Sequence, residues 1–169
     1  LSYKDKYYQS EAARFERLKK WEEAASLYKA ILRIDKNNFE ANYRLALLYI
    51  TLQDLNQAFK YLDEALKIDK NNPDALYQMG ILLFSTDKFK DAIKYFESAK
   101  ELNIRTSFLF MYLGLCYEKT GDAAKALENY ESAASIDPED LKIRELLETL
   151  KAKQAATSIT SEGQKSNML

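Results

Sequence analysis

Apolar positions along this chain fall at i, i+3, i+4 and i+7 in one stretch, stop at a short polar break, and resume with the same spacing in the next. From Glu40 to Thr51 the stripe is Leu45, Leu48 and Tyr49, running on to Leu52; from Leu55 to Ile68 it is Ala58, Tyr61, Leu62 and Ala65. Each stripe predicts an amphipathic helix, and the two make an antiparallel pair. The pair then recurs: windows 5–38, 39–72, 73–106 and 107–140 superimpose with a period of 34 residues and no insertion. Position 20 of the windows holds Ala24, Ala58, Ala92 and Ala126, and position 8 holds Ala12, Ala46, Gly80 and Gly114. Beside them, position 11 holds Phe15, Tyr49, Leu83 and Tyr117, and position 24 holds Tyr28, Leu62, Phe96 and Tyr130. Small residues stand where two helices must touch and large ones fill the space alongside, which predicts a stacked helical solenoid.

Polar breaks punctuate both levels of the pattern. Within windows they are Gln53-Asp54, Thr86-Asp87 and Thr120-Gly121-Asp122, where Gly121 suits a left-handed helix end and Asp122 a cap for the next helix. Between windows they are Asp35-Lys36-Asn37-Asn38, Asp69-Lys70-Asn71-Asn72-Pro73 and Asp137-Pro138-Glu139-Asp140. After Asp140, Ile143, Leu146, Leu147 and Leu150 oppose Arg144, Glu145, Glu148 and Lys151, which predicts a capping helix over 141–156 with one face on the last hairpin. From about Ala155 the chain turns to Thr, Ser, Gly, Asn and Gln without a period, and 157–169 reads as a flexible tail.

Composition narrows the picture. With 47% apolar and 30% charged residues but only four Gly and two Pro, the chain can build a core from long helices and short links, an all-α protein. The net charge of −1 divides unevenly, +3 over 1–38 and −5 over 107–140, yet no window carries the basic stripe that phosphate neutralisation needs, so nucleic acid is not expected as a partner. Cys116 is the single cysteine, which rules out an intrachain disulfide. There is no apolar run long enough for a membrane span, and Leu1 to Ser10 is too polar for a signal peptide. A chain that opens on Leu1 in place of Met is expected to be either trimmed at its start or an excised part of a longer protein, and a cytoplasmic location is the expectation.

The period, with Leu or a small residue at positions 7 and 8, an aromatic at 11, Ala at 20, an aromatic at 24 and Ala at 27, resembles the tetratricopeptide repeat family over residues 5–140. The fourth window fits best, with Phe110, Leu113-Gly114, Tyr117, Gly121, Ala126, Tyr130, Ala133 and Pro138. The first departs, with Glu11 at position 7 and Ile31 at position 27, and is expected either to be partly solvated as a terminal repeat or to meet a segment upstream. The resemblance implies a right-handed α-solenoid of antiparallel helix pairs with a C-terminal capping helix. It also implies a concave surface lined by positions 2, 5, 6, 9, 12 and 13 of the first helix of each pair.

Those positions are polar in the first repeat: Lys6, Gln9, Ser10, Ala13, Glu16 and Arg17. Thereafter they turn apolar and aromatic, and the expected partner-binding residues are Tyr43, Arg44, Leu47, Ile50, Tyr77, Gln78, Ile81, Phe84, Phe108, Met111, Tyr112 and Leu115. Tyr43, Tyr77 and Phe84 also read as packing residues between neighbouring helices. Leu47, Ile81 and Leu115 at position 9, with Phe108, Met111 and Tyr112, make an apolar strip where the family often has polar residues, and such strips mark partner sites. The two-carboxylate clamp by which some family members hold acidic chaperone tails does not match. Its positions carry Gln9, Ala13, Arg44, Asp74 and Gln78 from the first repeat, and Tyr43, Leu47, Gln78, Phe108 and Tyr112 from the second.

Catalysis has little support. Histidine is absent, Cys116 sits where packing is expected, and Glu22-Glu23 and Asp63-Glu64 have Lys within a helical turn. No phosphate-binding glycine loop, metal-ligand spacing or cofactor motif is present, so neither metal nor cofactor is expected. The sequence therefore reads as a non-catalytic protein–protein interaction module, an adaptor or assembly scaffold, holding an apolar peptide or amphipathic helix in its groove. The alternative is a structural spacer or self-association module of a longer protein.

Overall fold

The computed structural model describes residues 3–166, and all regular structure among them is helical: α1 (Tyr3–Arg17), α2 (Trp21–Ile34), α3 (Phe39–Thr51), α4 (Leu55–Ile68), α5 (Pro73–Ser85), α6 (Phe89–Glu101), α7 (Ser107–Thr120), α8 (Ala123–Ile136) and α9 (Leu141–Ser166). Side chains cap the starts of α3, α4, α5, α7 and α8, whereas α2 and α6 begin after Lys20 and Lys88 without a side-chain cap. Asn38, Asn72 and Thr106 accept from the backbone N–H of Ala41, Ala75 and Leu109 at 3.0, 3.1 and 3.2 Å, and Asp54 and Asp122 do the same for α4 and α8. Pro73 opens α5, where a missing N–H is harmless.

Each hairpin turns at position 15, and the residue there is left-handed every time: Lys19 (φ 56°), Gln53 (φ 60°), Asp87 (φ 57°) and Gly121 (φ 88°). The following N–H then reaches back five residues, from Lys20 to Phe15, Asp54 to Tyr49 and Asp122 to Tyr117, each at 2.9 Å. This closes the free carbonyls of the helix end. Only the fourth turn uses glycine.

The chain divides into two compact units, Leu1–Asp87 and Lys88–Leu169. The first holds α1 to α5. Its core gathers Ala12, Ala24, Ala25, Tyr28, Ile31, Ala41, Leu45 and Leu48, with Phe15, Trp21 and Tyr49 packed against it. Ile31, at position 27 of the first repeat, is fully buried in a core with Ala41 and Leu45 of α3, while among the described side chains of α1 only Ala12 is buried.

The second unit holds α6 to α9. Gly114 lies against the fully buried ring of Tyr130, so close that a Cβ there would stand 2.5 Å from Cδ1 and 3.1 Å from Cζ. Beyond that hairpin Ile143 of α9 closes over Phe110, Met111 and Ala133. The backbone of α9 stays helical through Ser166, where the sequence reading ends the capping helix at 156 and begins a flexible tail. Gly163 is the only helix-breaking residue type after Asp140, and the run Lys151 to Ala156 is rich in helix formers. Residues 167–169 of that tail lie outside the described residues.

Candidate functional site

In the first unit, the loop before α3 is fixed from inside. The buried Asn42 amide donates to the carbonyl of Asn38 at 3.0 Å and to that of Lys36 at 3.3 Å. That fixes the start of α3, and one helical turn on it sets Arg44 facing α1. Arg44 Nε bonds Glu40 Oε1 at 2.6 Å and Nη1 stands 3.8 Å from Glu16 Oε2. Tyr28 from α2 shares a hydrogen bond with the same Glu16. Burial, then that bond, push the Tyr28 phenol well above the ordinary tyrosine range, while the Glu40 bond raises Arg44 further.

Two cavities meet at Arg44. One, of about 380 Å³, is lined by Lys6, Gln9, Ser10, Ala13, Tyr28, Glu40 and Arg44. The other, of about 110 Å³, is lined by Glu16, Trp21, Arg44, Leu47, Leu48 and Thr51. Apart from Tyr28, Trp21 and Leu48, every lining residue occupies one of positions 2, 5, 6, 9, 12 and 13, the surface the family resemblance points to. The larger cavity opens on the polar first repeat, which the sequence reading passed over for its apolar neighbours. The signal was present in Ala13: position 9 is Leu or Ile in the other repeats, and the missing side chain leaves the space.

Of the expected partner-binding residues in this unit, Arg44 and Leu47 come together at the smaller cavity. Tyr43 stacks on Phe39 at 5.7 Å between ring centroids, a packing role. Ile50, Tyr77, Gln78, Ile81 and Phe84 are half-buried.

The second unit treats its share differently. Tyr112 stacks on Phe96 at 5.7 Å, and Leu115 is half-buried against the cluster under α9. Met111 does not present an open surface as expected: it is 3% exposed, because Ile143 and Ala133 enclose it. Phe108, at 52% exposed, is the open member. Nearby, Tyr130 donates to Glu118 at 3.1 Å and Lys153 of α9 to the same carboxylate at 2.7 Å, which holds Glu118 below the ordinary carboxylate range. The thiol of Cys116 is buried and pushed up to about 12, so it stays protonated at neutral pH. Among the described residues, no cluster of His, Cys, Asp and Glu is arranged to hold a metal, and no helix is long and apolar enough to cross a membrane.

Hairpins nested through alanine and glycine contacts in a 34-residue register define a helical-repeat protein. Residues 107–140, the fourth window to the residue, match the tetratricopeptide repeat, and residues 17–99 match the family described as anaphase-promoting complex, cyclosome, subunit 3. The chain has the tetratricopeptide-repeat fold, and these matches mark it as a protein–protein interaction module. No curated protein matches its sequence. Among solved structures it is similar to MamA (41-end) from Desulfovibrio magneticus RS-1, with 25% identity and a TM-score of 0.86 over 99% of this chain and 94% of that one. YrrB, described as a TPR protein with an unusual peptide-binding site, shares 22% identity and a TM-score of 0.81 over 88% of this chain and 76% of that one. The pilF protein of Pseudomonas aeruginosa shares 21% identity with a TM-score of 0.75, over 90% and 70%. All three show an all-α tetratricopeptide-repeat fold for this chain.

Proposed function

We propose that this chain is a non-catalytic adaptor or assembly scaffold that takes a peptide segment of its partner along the face shared by α1 and α3. The observation that carries the reading is the pair of cavities meeting at Arg44, one polar and one bounded by Trp21, Leu47 and Leu48. Leu47 is half-buried, so an apolar ligand side chain can still gain by covering it. The half-buried Ile81 of α5 would extend the contact in a longer ligand. A peptide-binding site in YrrB, which has the same fold, supports a peptide as the ligand. The absence of histidine and the protonated, buried Cys116 support a role without chemistry.

Peptides selected from a displayed random library on the intact chain test the reading. Leu47→Glu puts a charge in the smaller cavity without touching the alanine and glycine contacts, and it should weaken the selected peptides by about tenfold or more. Fluorescence polarisation reads the loss. Peptides that bind Leu47→Glu and the parent chain alike would place the contact elsewhere.

A further inference from the structure

The larger cavity is lined asymmetrically. On the α3 wall the charge is answered: Glu40 is taken by Arg44 at 2.6 Å, and Arg44 also faces Glu16 of α1, which lines the smaller cavity. On the α1 wall Lys6, Gln9 and Ser10 sit at i, i+3 and i+4, hence on one helix face. An ammonium, an amide and a hydroxyl therefore meet at one mouth, and among the described residues none of the three makes a hydrogen bond or ion pair within the protein. The lining carries Lys6 and Arg44 against Glu40, so its unanswered charge is positive. A volume of about 380 Å³ lies within the range of pockets that enclose ligand groups.

We propose that this cavity receives an acidic side chain, the Asp or Glu carboxylate of a partner peptide, with the Lys6 ammonium, the Gln9 amide and the Ser10 hydroxyl donating to it. This rests on the peptide-adaptor reading and adds the chemistry of one ligand position. A carboxylate offers several acceptor sites to three donors, and charge-assisted bonds of this kind are the strong ones. A basic ligand group would face Lys6 while the nearest carboxylate, Glu40, is already engaged. An apolar group would strip water from three donors and return nothing. The donors come from positions 2, 5 and 6 of one helix and share only Gln9 with the two-carboxylate clamp, whose positions this chain fills with Gln9, Ala13, Arg44, Asp74 and Gln78.

The test uses peptides selected from a displayed random library on the intact chain, then measured against Lys6→Glu and Leu47→Glu. Lys6 is exposed, so its replacement should leave the helices intact by circular dichroism. The expected result is one position enriched in Asp or Glu, whose change to Asn or Gln weakens binding by about tenfold. Lys6→Glu should weaken the acidic peptides at least as much, and a Lys at that peptide position should restore binding to Lys6→Glu. Acidic peptides that bind Lys6→Glu as well as the parent, or selected peptides with no acidic position, overturn the inference. If such peptides are still lost on Leu47→Glu, the adaptor reading survives and the acidic pocket alone falls. Peptides indifferent to both replacements, or no selected peptides at all, remove both.

Discussion

In the first hairpin Glu16 and Tyr28 share a hydrogen bond, and in the fourth Tyr130 bonds Glu118 at 3.1 Å, the same two repeat positions. The second and third hairpins place Ile50 with Leu62 and Phe84 with Phe96 there. Each polar pair also meets a cation from the next A-type helix, Arg44 of α3 in one case and Lys153 of α9 in the other. The surroundings then diverge. In the first hairpin position 9 is Ala13 and the pair borders a cavity; in the fourth it is Leu115, packed with Met111 under Ile143 of α9. One arrangement of carboxylate, phenol and cation thus borders an opening or joins two helices, according to what stands at position 9 and which helix follows. The comparison traces the opening in the first repeat to the small Ala13 at position 9 and to the helix that follows.

The strongest way to break the comparison is at position 8, where the first hairpin has Ala12 and the fourth Gly114. A Cβ at Gly114 would meet the Tyr130 ring at 2.5 Å, and that ring is fully buried with no room to retreat. Gly114→Ala should therefore destabilise the protein by about 2–3 kcal/mol through overpacking, despite the better helix propensity of alanine. The reverse change, Ala12→Gly, should cost about 1 kcal/mol by propensity and a small void. Urea unfolding of the two variants ranks them. A Gly114→Ala variant as stable as the parent would mean that the Tyr130 ring sits less tightly than its contact with Gly114 implies.

The cation of the fourth hairpin gives a smaller effect with a pH signature. The Glu118 carboxyl is held below its ordinary value of 4.5, first by its bond to Lys153. A depressed carboxylate stabilises the fold above the unfolded value, and that stability is lost as pH falls through the folded one. Lys153→Met should accordingly destabilise the α7–α9 contact by about 0.5–1 kcal/mol at neutral pH, the pair being partly exposed. Below 4.5 the gap between variant and parent should shrink as the carboxylate protonates. Hydrogen exchange of the α9 amides across that range reads it, and a gap that stays constant with pH would assign Lys153 a packing role only.

How much of this was legible in the sequence follows from what each residue answers to. The 34-residue period and the alanines at position 20 fix which helices touch, and the α3 and α4 boundaries agree with the sequence reading to within a residue. Local pattern also marked Gly121 and Asp122 as turn and cap. Met111 looked like a surface residue because its covering, Ile143, lies on a helix whose register against α7 no local pattern sets. The cavity of the first repeat escaped for a related reason. Polar residues at Lys6, Gln9 and Ser10 read as an ordinary wetted face, and only their placement opposite Arg44, over the gap left by Ala13, makes them the wall of a pocket. Ile31, which stands where the family pattern has Ala, is buried in the core with Ala41 and Leu45 of α3.

The smallest expected effect concerns the hairpin turns. Position 15 is left-handed in all four, but the first spends Lys19 there and the second Gln53, where the fourth has Gly121. A side chain with a Cβ is strained in that region by about 1–2 kcal/mol, whereas glycine enters it without steric cost but loses more freedom on folding. The balance favours glycine, so Lys19→Gly and Gln53→Gly should each stabilise the protein by about 0.5–1 kcal/mol. Gly121→Ala should lose a similar amount even though nothing lies within 4 Å of the added Cβ, which isolates the backbone term from packing. Thermal unfolding of the three variants decides it. A fall in midpoint for Lys19→Gly would mean that the lysine holds the first turn by contacts of its own, and the turns of the first and fourth hairpins would then differ in kind.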